Sequence, residues 1–218
     1  MTVIGSPDHW VDFIESQVPD ILMAVIESWE QMAVPAPGAL EDQITEALCR
    51  VLKRHRTSRE LPLQIHPQSV ELEPAEIDDV GRMDIAFYPP TNREDIYFCL
   101  EAKRLNVVND KGSVRSCASE YVRFGMIRFV TGQYGKLARS GGMIGYVVDG
   151  RIAHAIANVA RNIRTQYVAL GMTPPGELLL STILPADPRA RETHHTRRHG
   201  PAPFRIHHLF MTKAASAN

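Results

Sequence analysis

Residues 81–104 read GRMDIAFYPPTNREDIYFCLEAKR, and they decide the fold. Two apolar stretches of strand length, 82–88 and 96–102, flank Pro89-Pro90-Thr91-Asn92, a turn signal, so a β-hairpin is predicted. Side chains alternate along a strand. Ile96, Phe98, Leu100 and Ala102 therefore share one face, while Glu101 and Lys103 emerge together on the other. The hairpin brings Asp84 towards Glu101. The run Tyr97-Phe98-Cys99-Leu100 suits a buried central strand, where a charge pair is costly unless it has a task. The alternative is an exposed cross-strand salt bridge among Asp84, Glu101, Lys103 and Arg82, which would contribute little.

Apolar residues Trp10, Ile14, Val18, Ile21, Leu22 and Val25 recur at helical spacing over 8–33, with Pro19 as a kink or restart. Residues 35–38 break the chain. A second helix is predicted over 39–56, ending in Arg50, Lys53, Arg54 and Arg56, which complement its dipole. Residues 61–73 read as extended and the acidic run 73–79 as a turn. Beyond the hairpin come a loop over 106–116 and a helix over 118–139 stopped by Gly141-Gly142. A strand at 143–148 and a helix at 151–170 follow. Late strands are predicted at 178–184 and 204–211, with a loop rich in Pro, Arg and His between them and a frayed tail of seven residues. This order predicts an α/β fold, a mixed central β-sheet flanked by helices on both faces. One domain over 1–218 is expected, with an N-terminal helical extension (1–38), a catalytic core (39–150) and a C-terminal helix and strand pair (151–218).

Of the 218 residues, 44% are hydrophobic and 22% charged, enough for a sizeable core. No apolar run approaches the roughly 18 residues of a membrane span, and no signal peptide is evident, so a cytoplasmic protein is expected. Cys49, Cys99 and Cys117 form no CxxC pair, which argues against a disulfide framework or a zinc knuckle. The net charge of −1 hides an asymmetry: residues 1–101 carry 19 acidic and 7 basic side chains, residues 102–218 carry 6 and 17. Such a split suggests a polyanion partner or an acidic metal site; mutual neutralisation on folding is the plainer reading.

Two carboxylates backed by an ammonium suit a hard divalent cation such as Mg²⁺. Such an ion would polarise a phosphodiester oxygen and lower the pKa of a bound water, while Lys103 orients the water or stabilises the pentavalent charge. Asp84, a gap, then Glu101-Ala-Lys103 on the next strand resembles the PD-(D/E)XK nuclease superfamily, with its restriction-endonuclease-like fold. The resemblance covers about residues 39–150; Met83 stands where the motif has Pro, a residue that many members lack. It implies metal binding by Asp84 and Glu101, with Mn²⁺ able to replace Mg²⁺, and a water-positioning role for Lys103.

Many members of that superfamily also place a Glu on the helix before the sheet. Glu41 lies in line with Ile44, Leu48, Val51 and Leu52, whereas Glu46 lies opposite, so Glu41 is the expected third metal-site acid. Otherwise Glu41 simply favours the helix dipole.

Residues 102–139 hold 8 basic against 2 acidic side chains. Arg104, Lys111, Arg115, Arg123, Arg128 and Lys136 are expected to hold a phosphate backbone. The interleaved Tyr121, Phe124, Phe129 and Tyr134 are read as core. Gln133 and Tyr134 are candidates to touch the metal site. The late loop carries Arg189, Arg191, Arg197 and Arg198 with His194, His195 and His199. A basic substrate-binding loop is preferred there to a zinc site, because neighbours such as His194 and His195 point apart. His207 or His208 is expected in the core.

No GxGxxG, P-loop or GxSxG motif is present. The expected activity is that of a Mg²⁺-dependent nuclease acting on nucleic acid, DNA in preference. The resemblance suggests the effector of a bacterial restriction or anti-phage defence system, as a homodimer or a subunit of a larger complex. The alternative is an inactive nuclease-fold module that binds nucleic acid or a partner protein.

Overall fold

A computed structural model describes residues 5–36, 38–55, 60–71, 81–91, 93–108, 111–197 and 199–213. The acidic run 73–79, Leu72, Arg56, Arg198 and the last five residues lie outside the described residues.

The predicted hairpin forms. Strand β1 (Gln64–Val70) pairs antiparallel with β2 (Arg82–Tyr88), and β2 with β3 (Phe98–Leu105). β3 continues into a small side hairpin, β4 (Val107–Val108) and β5 (Val114–Arg115), where the sequence suggested only a loop. The central sheet then adds β6 (Ser140–Val147) parallel to β3, and β9 (Phe204–Met211) parallel to β6. β8 (Ala190–His195) and β7 (Leu179–Leu180) complete it antiparallel, giving the order β1-β2-β3-β6-β9-β8-β7. The sheet is mixed, as predicted.

Helices cover both faces. α1 (Pro7–Gln31) and α2 (Glu41–Arg54) bury Ile14, Ile21, Leu22, Leu48 and Leu52 against Ile85, Phe87, Phe98, Leu100 and Ile144. α1 runs through Pro19 without ending and packs into the core rather than standing outside it. On the other face Met83, Cys99, Met143, Ile206 and Phe210 meet α3 (Ala118–Tyr121), a π-helical turn (Val122–Met126), α4 (Ile127–Thr131) and α5 (Ile152–Gln166).

Three expectations need correction. The helix over 118–139 ends at Thr131, because Gly132 takes a left-handed φ of +81°. Gly141 and Gly142 lie inside β6 and do not stop a helix. A Cβ at Gly141 would stand 2.5 Å from Phe129 Cε1, and one at Gly142 would stand 2.3 Å from Leu100 Cδ2. These glycines permit close approach between a strand and its neighbours. Finally, Ala190–His195 is a strand, although its polar sequence predicts a loop; Glu192, Thr193 and His195 are buried there.

Cys49, Cys99 and Cys117 are free and buried. No helix among the described residues is long and apolar enough to cross a membrane.

Candidate active site

Asp84, Glu101 and Lys103 come together on adjacent strands, as the hairpin required. The β2–β3 register (Ile85↔Leu100, Ala86↔Cys99) leads to Asp84 opposite Glu101, but the regular ladder stops one position short. Asp84 is also skipped on its other side, where Gln68 of β1 takes a left-handed φ of +51°. At this interruption the Asp84 side chain replaces a ladder carbonyl: its Oδ2 accepts a hydrogen bond from the Ala102 amide at 2.7 Å. Local breaks in a strand ladder re-aim side chains in this way.

Glu101 is 1% exposed. Its Oε1 accepts hydrogen bonds from Lys103 Nζ at 2.8 Å and from an Arg128 guanidinium nitrogen at 2.9 Å. Its Oε2 is buried without a hydrogen-bond partner. Lys103 Nζ also donates to Glu41 Oε1 at 3.0 Å and to the Ala102 carbonyl at 2.7 Å. Burial and the charge of Glu101 together push Asp84 up to about 7, against the pull of Lys103 and the Ala102 amide. Burial likewise raises Glu101, although Lys103 and Arg128 oppose it. Burial pulls the Lys103 ammonium down, but Glu101, Glu41 and Asp84 outweigh it, and its pKa is raised.

Glu41 reaches the site from the first turn of α2, while Glu46 is exposed and pairs with Arg50 at 3.0 Å. This is the helix face that the sequence assigned. Both Glu41 oxygens are committed, however: Oε1 to Lys103 and Oε2 to the Arg104 amide at 2.9 Å. The structure therefore places Glu41 against Lys103 as an ion-pair partner. Among the described residues, no group of three or more His, Cys, Asp or Glu is placed to hold a metal. The carboxylate pair itself fits a divalent cation through one observation, the orphaned Oε2 of Glu101, an acceptor buried with nothing to accept from.

The expected phosphate-binding residues divide. Arg128 belongs to the carboxylate site, where its half-buried guanidinium bridges Glu101 and the Tyr134 hydroxyl, which in turn donates to the Arg82 carbonyl. Sequence alone did not separate it from its basic neighbours, because its partner lies 27 residues away across a strand and a helix. Arg104 is half-buried and donates to the Ala39 carbonyl, tying β3 to the entry of α2. Lys111, Arg115, Arg123 and Lys136 are exposed. Arg115 pairs with Glu120 at 3.3 Å.

In the late segment His194 is exposed and bonds Glu192, whereas His195 is buried, so the two point apart as the strand dictates. His207 and His208 are both core residues.

The π-helical turn joins α3 to α4 and lies over the site. A Cβ on Gly125 would lie 2.4 Å from Met143 Cε and 3.8 Å from Glu101 Cγ, so the backbone here is the roof of Glu101. π turns often occur at functional sites. Gly125→Ala is expected to destabilise the protein by about 1–3 kcal/mol through overpacking. Urea unfolding would check this, and unchanged stability would mean that Met143 gives way freely.

No family model, curated protein or solved structure matches the chain.

Proposed function

We propose that this protein is a metal-dependent nuclease of restriction-endonuclease-like fold that hydrolyses nucleic-acid phosphodiester bonds, DNA in preference, with Mg²⁺ or Mn²⁺. The observation that carries this reading is the convergence of Asp84 and Glu101 from two strands with a buried, unpartnered carboxylate oxygen beside Lys103. The antiparallel β1–β2–β3 unit followed by the parallel β6, with helices on both faces, supports the fold assignment.

Asp84 and Glu101 would hold the ion. When bound, it would supply Lewis-acid polarisation of a phosphoryl oxygen and a more acidic water. Lys103 keeps its proton, because three carboxylates face it, and presents a fixed positive charge to the negative charge that builds on phosphorus in an in-line attack. Glu41 fixes the ammonium from the far side. Arg128, partly exposed beside Glu101, offers a guanidinium as a second cationic donor for a non-bridging oxygen. Lys111, Arg123 and Lys136, all exposed, are the candidates for the flanking backbone. A place in a restriction or anti-phage system, as a homodimer or subunit, is part of the same proposal and rests on the motif.

A second reading is an inactive module that binds nucleic acid or a partner. It is favoured by the closed ion-pair network, in which Lys103 Nζ already has three acceptors and Glu41 has no free oxygen. A nicking assay on plasmid, run beside cleavage of a single-stranded DNA circle, with Mg²⁺ or Mn²⁺ separates the two. Wild type should nick at least one of these substrates, and Lys103→Ala should lose about 100-fold or more of the rate. Equal nicking by both proteins would point to contamination, and nicking by neither, with DNA still bound, would establish the inactive module.

A further inference from the structure

Of the four aromatic residues between Ala118 and Tyr134, three are fully buried: Tyr121, Phe129 and Tyr134. Phe124 is 58% exposed. A single exposed aromatic is unremarkable by itself; its position is what distinguishes this one. It precedes Gly125, whose backbone roofs Glu101, so its Cα stands about 3.8 Å from the Cα above the candidate catalytic carboxylate. On its other side is Arg123, exposed and without an ion pair among the described residues. Arg128, on the following helix, reaches Glu101 itself. The β4–β5 hairpin leaves β3 beyond Lys103 and is tied back to α3 by the Arg115–Glu120 pair, with Val108 and Val114 exposed along it. An exposed aromatic residue, with an exposed cation before it in the chain, thus sits one residue from the backbone that covers Glu101.

We propose that Phe124 is a base-stacking platform and that the site therefore takes single-stranded nucleic acid; this rests on the nuclease reading of Asp84, Glu101 and Lys103. A phosphate taken by Arg128 and by the ion that Asp84 and Glu101 would hold would bring a neighbouring base towards the π turn. In a duplex both faces of that base are covered by its neighbours, so it has none to give to Phe124. In a single strand it can leave the stack and cover the ring, and every base has a π-face, so the contact is tolerant of sequence. Arg123 then meets the next phosphate along the strand. The same arrangement explains why an apolar side chain faces solvent beside a cation, where a buried aromatic would have served the core.

The test is fluorescence anisotropy with a labelled oligothymidylate of about 15 nucleotides and with a mixed-sequence duplex of equal length. Ca²⁺ replaces Mg²⁺ to hold back cleavage. Wild type should bind the single strand more tightly than the duplex. Phe124→Ala should weaken single-strand binding by about 5- to 100-fold and leave duplex binding nearly unchanged. Phe124→Trp should restore binding and Phe124→Leu should not, because Leu keeps the apolar surface but lacks the π-face. Arg123→Ala should flatten the dependence of log K on log salt by about 0.7 for the single strand. Wild-type affinity in Phe124→Ala or Phe124→Leu would overturn the proposal, as would a duplex bound as tightly as the single strand. A change confined to oligomeric state would make Phe124 a protein contact and equally overturn it. If wild type cuts plasmid or the single-stranded circle, Lys103→Ala does not, and Phe124→Ala binds normally, only the stacking proposal fails. If wild type neither cuts nor binds, both readings fail together.

Discussion

Asp84→Asn is expected to remove Mg²⁺-dependent cleavage and, in the metal-free protein near pH 8, to raise stability. The two effects have one cause. Asp84 is buried beside Glu101, and its pKa stands at about 7 against an ordinary 3.8. The native state therefore binds this proton more tightly than the unfolded chain. The stability that the group contributes is complete below about pH 4 and is lost as pH rises through 7. Above pH 7 the native protein carries an ionised carboxylate where burial and a like charge disfavour it. Asn removes that charge and keeps an oxygen for the Ala102 amide. The upper bound on the gain is about 4 kcal/mol, from a shift of about three pKa units at 1.36 kcal/mol each, and about 1–4 kcal/mol is expected. At acid pH, where Asp84 is protonated in both states, the variant should match wild type.

Adding Mg²⁺ should reverse the order. Wild type gains stability in proportion to RT ln(1 + [L]/Kd), whereas the variant, with a ligand gone, gains little. Cleavage should fall by about 100-fold or more, since disturbing even the surroundings of a metal ligand costs 10–100-fold in affinity or activity. Melting curves near pH 8 with EDTA and with Mg²⁺ read both terms. A variant that is destabilised in EDTA and still responds to Mg²⁺ would sink the metal-site assignment of Asp84.

Much of this site was legible because it depends on local rules. Alternation along β3 put Glu101 and Lys103 on one face, the turn signal after Tyr88 predicted that Asp84 lies across from them, and helical periodicity chose Glu41 over Glu46. What stayed hidden depends on tertiary contact. Arg128 reads like any basic residue until α4 is laid on the sheet, and Phe124 reads like its three buried neighbours until the π turn is seated with Phe124 on its exposed side. Gly141 and Gly142 look like a helix stop; their purpose, room for Phe129 and Leu100, exists only once the strands are assembled. The strand Ala190–His195 was missed for a related reason. Its polar residues belong in the core because they satisfy one another there, and no periodicity announces that.

That strand supports the second large effect, a loss of about 2–6 kcal/mol on Thr193→Val. Thr193 Oγ1 lies 2.7 Å from His195 Nε2 and 2.9 Å from His208 Nε2. His195 Nδ1 lies 2.7 Å from the Leu170 carbonyl, and His208 Nδ1 lies 2.9 Å from the Tyr121 hydroxyl. The Leu170 carbonyl can only accept, so His195 carries its proton on Nδ1 and accepts at Nε2 from the Thr193 hydroxyl. The hydroxyl oxygen then accepts from His208 Nε2, leaving His208 Nδ1 to accept from Tyr121. One proton arrangement satisfies the whole chain, with every member neutral. Burial agrees, since it draws His195 down to about 4, His208 well below its ordinary value, and Tyr121 up. Val keeps the shape but strands one buried acceptor and one buried donor, at about 1–3 kcal/mol each. A melting temperature lower by about 10 °C is expected. Thr193→Ser keeps the hydroxyl and should retain most of the stability, so a Ser variant as weak as Val would assign the loss to packing.

The same chain sets the response to acid. Below pH 6.5 the unfolded chain takes protons that native His195, His207 and His208 refuse, so their contribution to stability falls as pH drops from 6.5 towards 4. Asp84, pushed up to about 7, works in the opposite direction across that window, and Glu101 and Glu15, raised by burial, act in the same sense as Asp84. Wild type should therefore lose stability only gently on acidification. Asp84→Asn removes one opposing proton and should steepen the loss by about 1.4 kcal/mol per pH unit between pH 6.5 and 4. Urea unfolding across that range measures the slope directly, and parallel curves for the two proteins would show that Asp84 is not protonated in the native state.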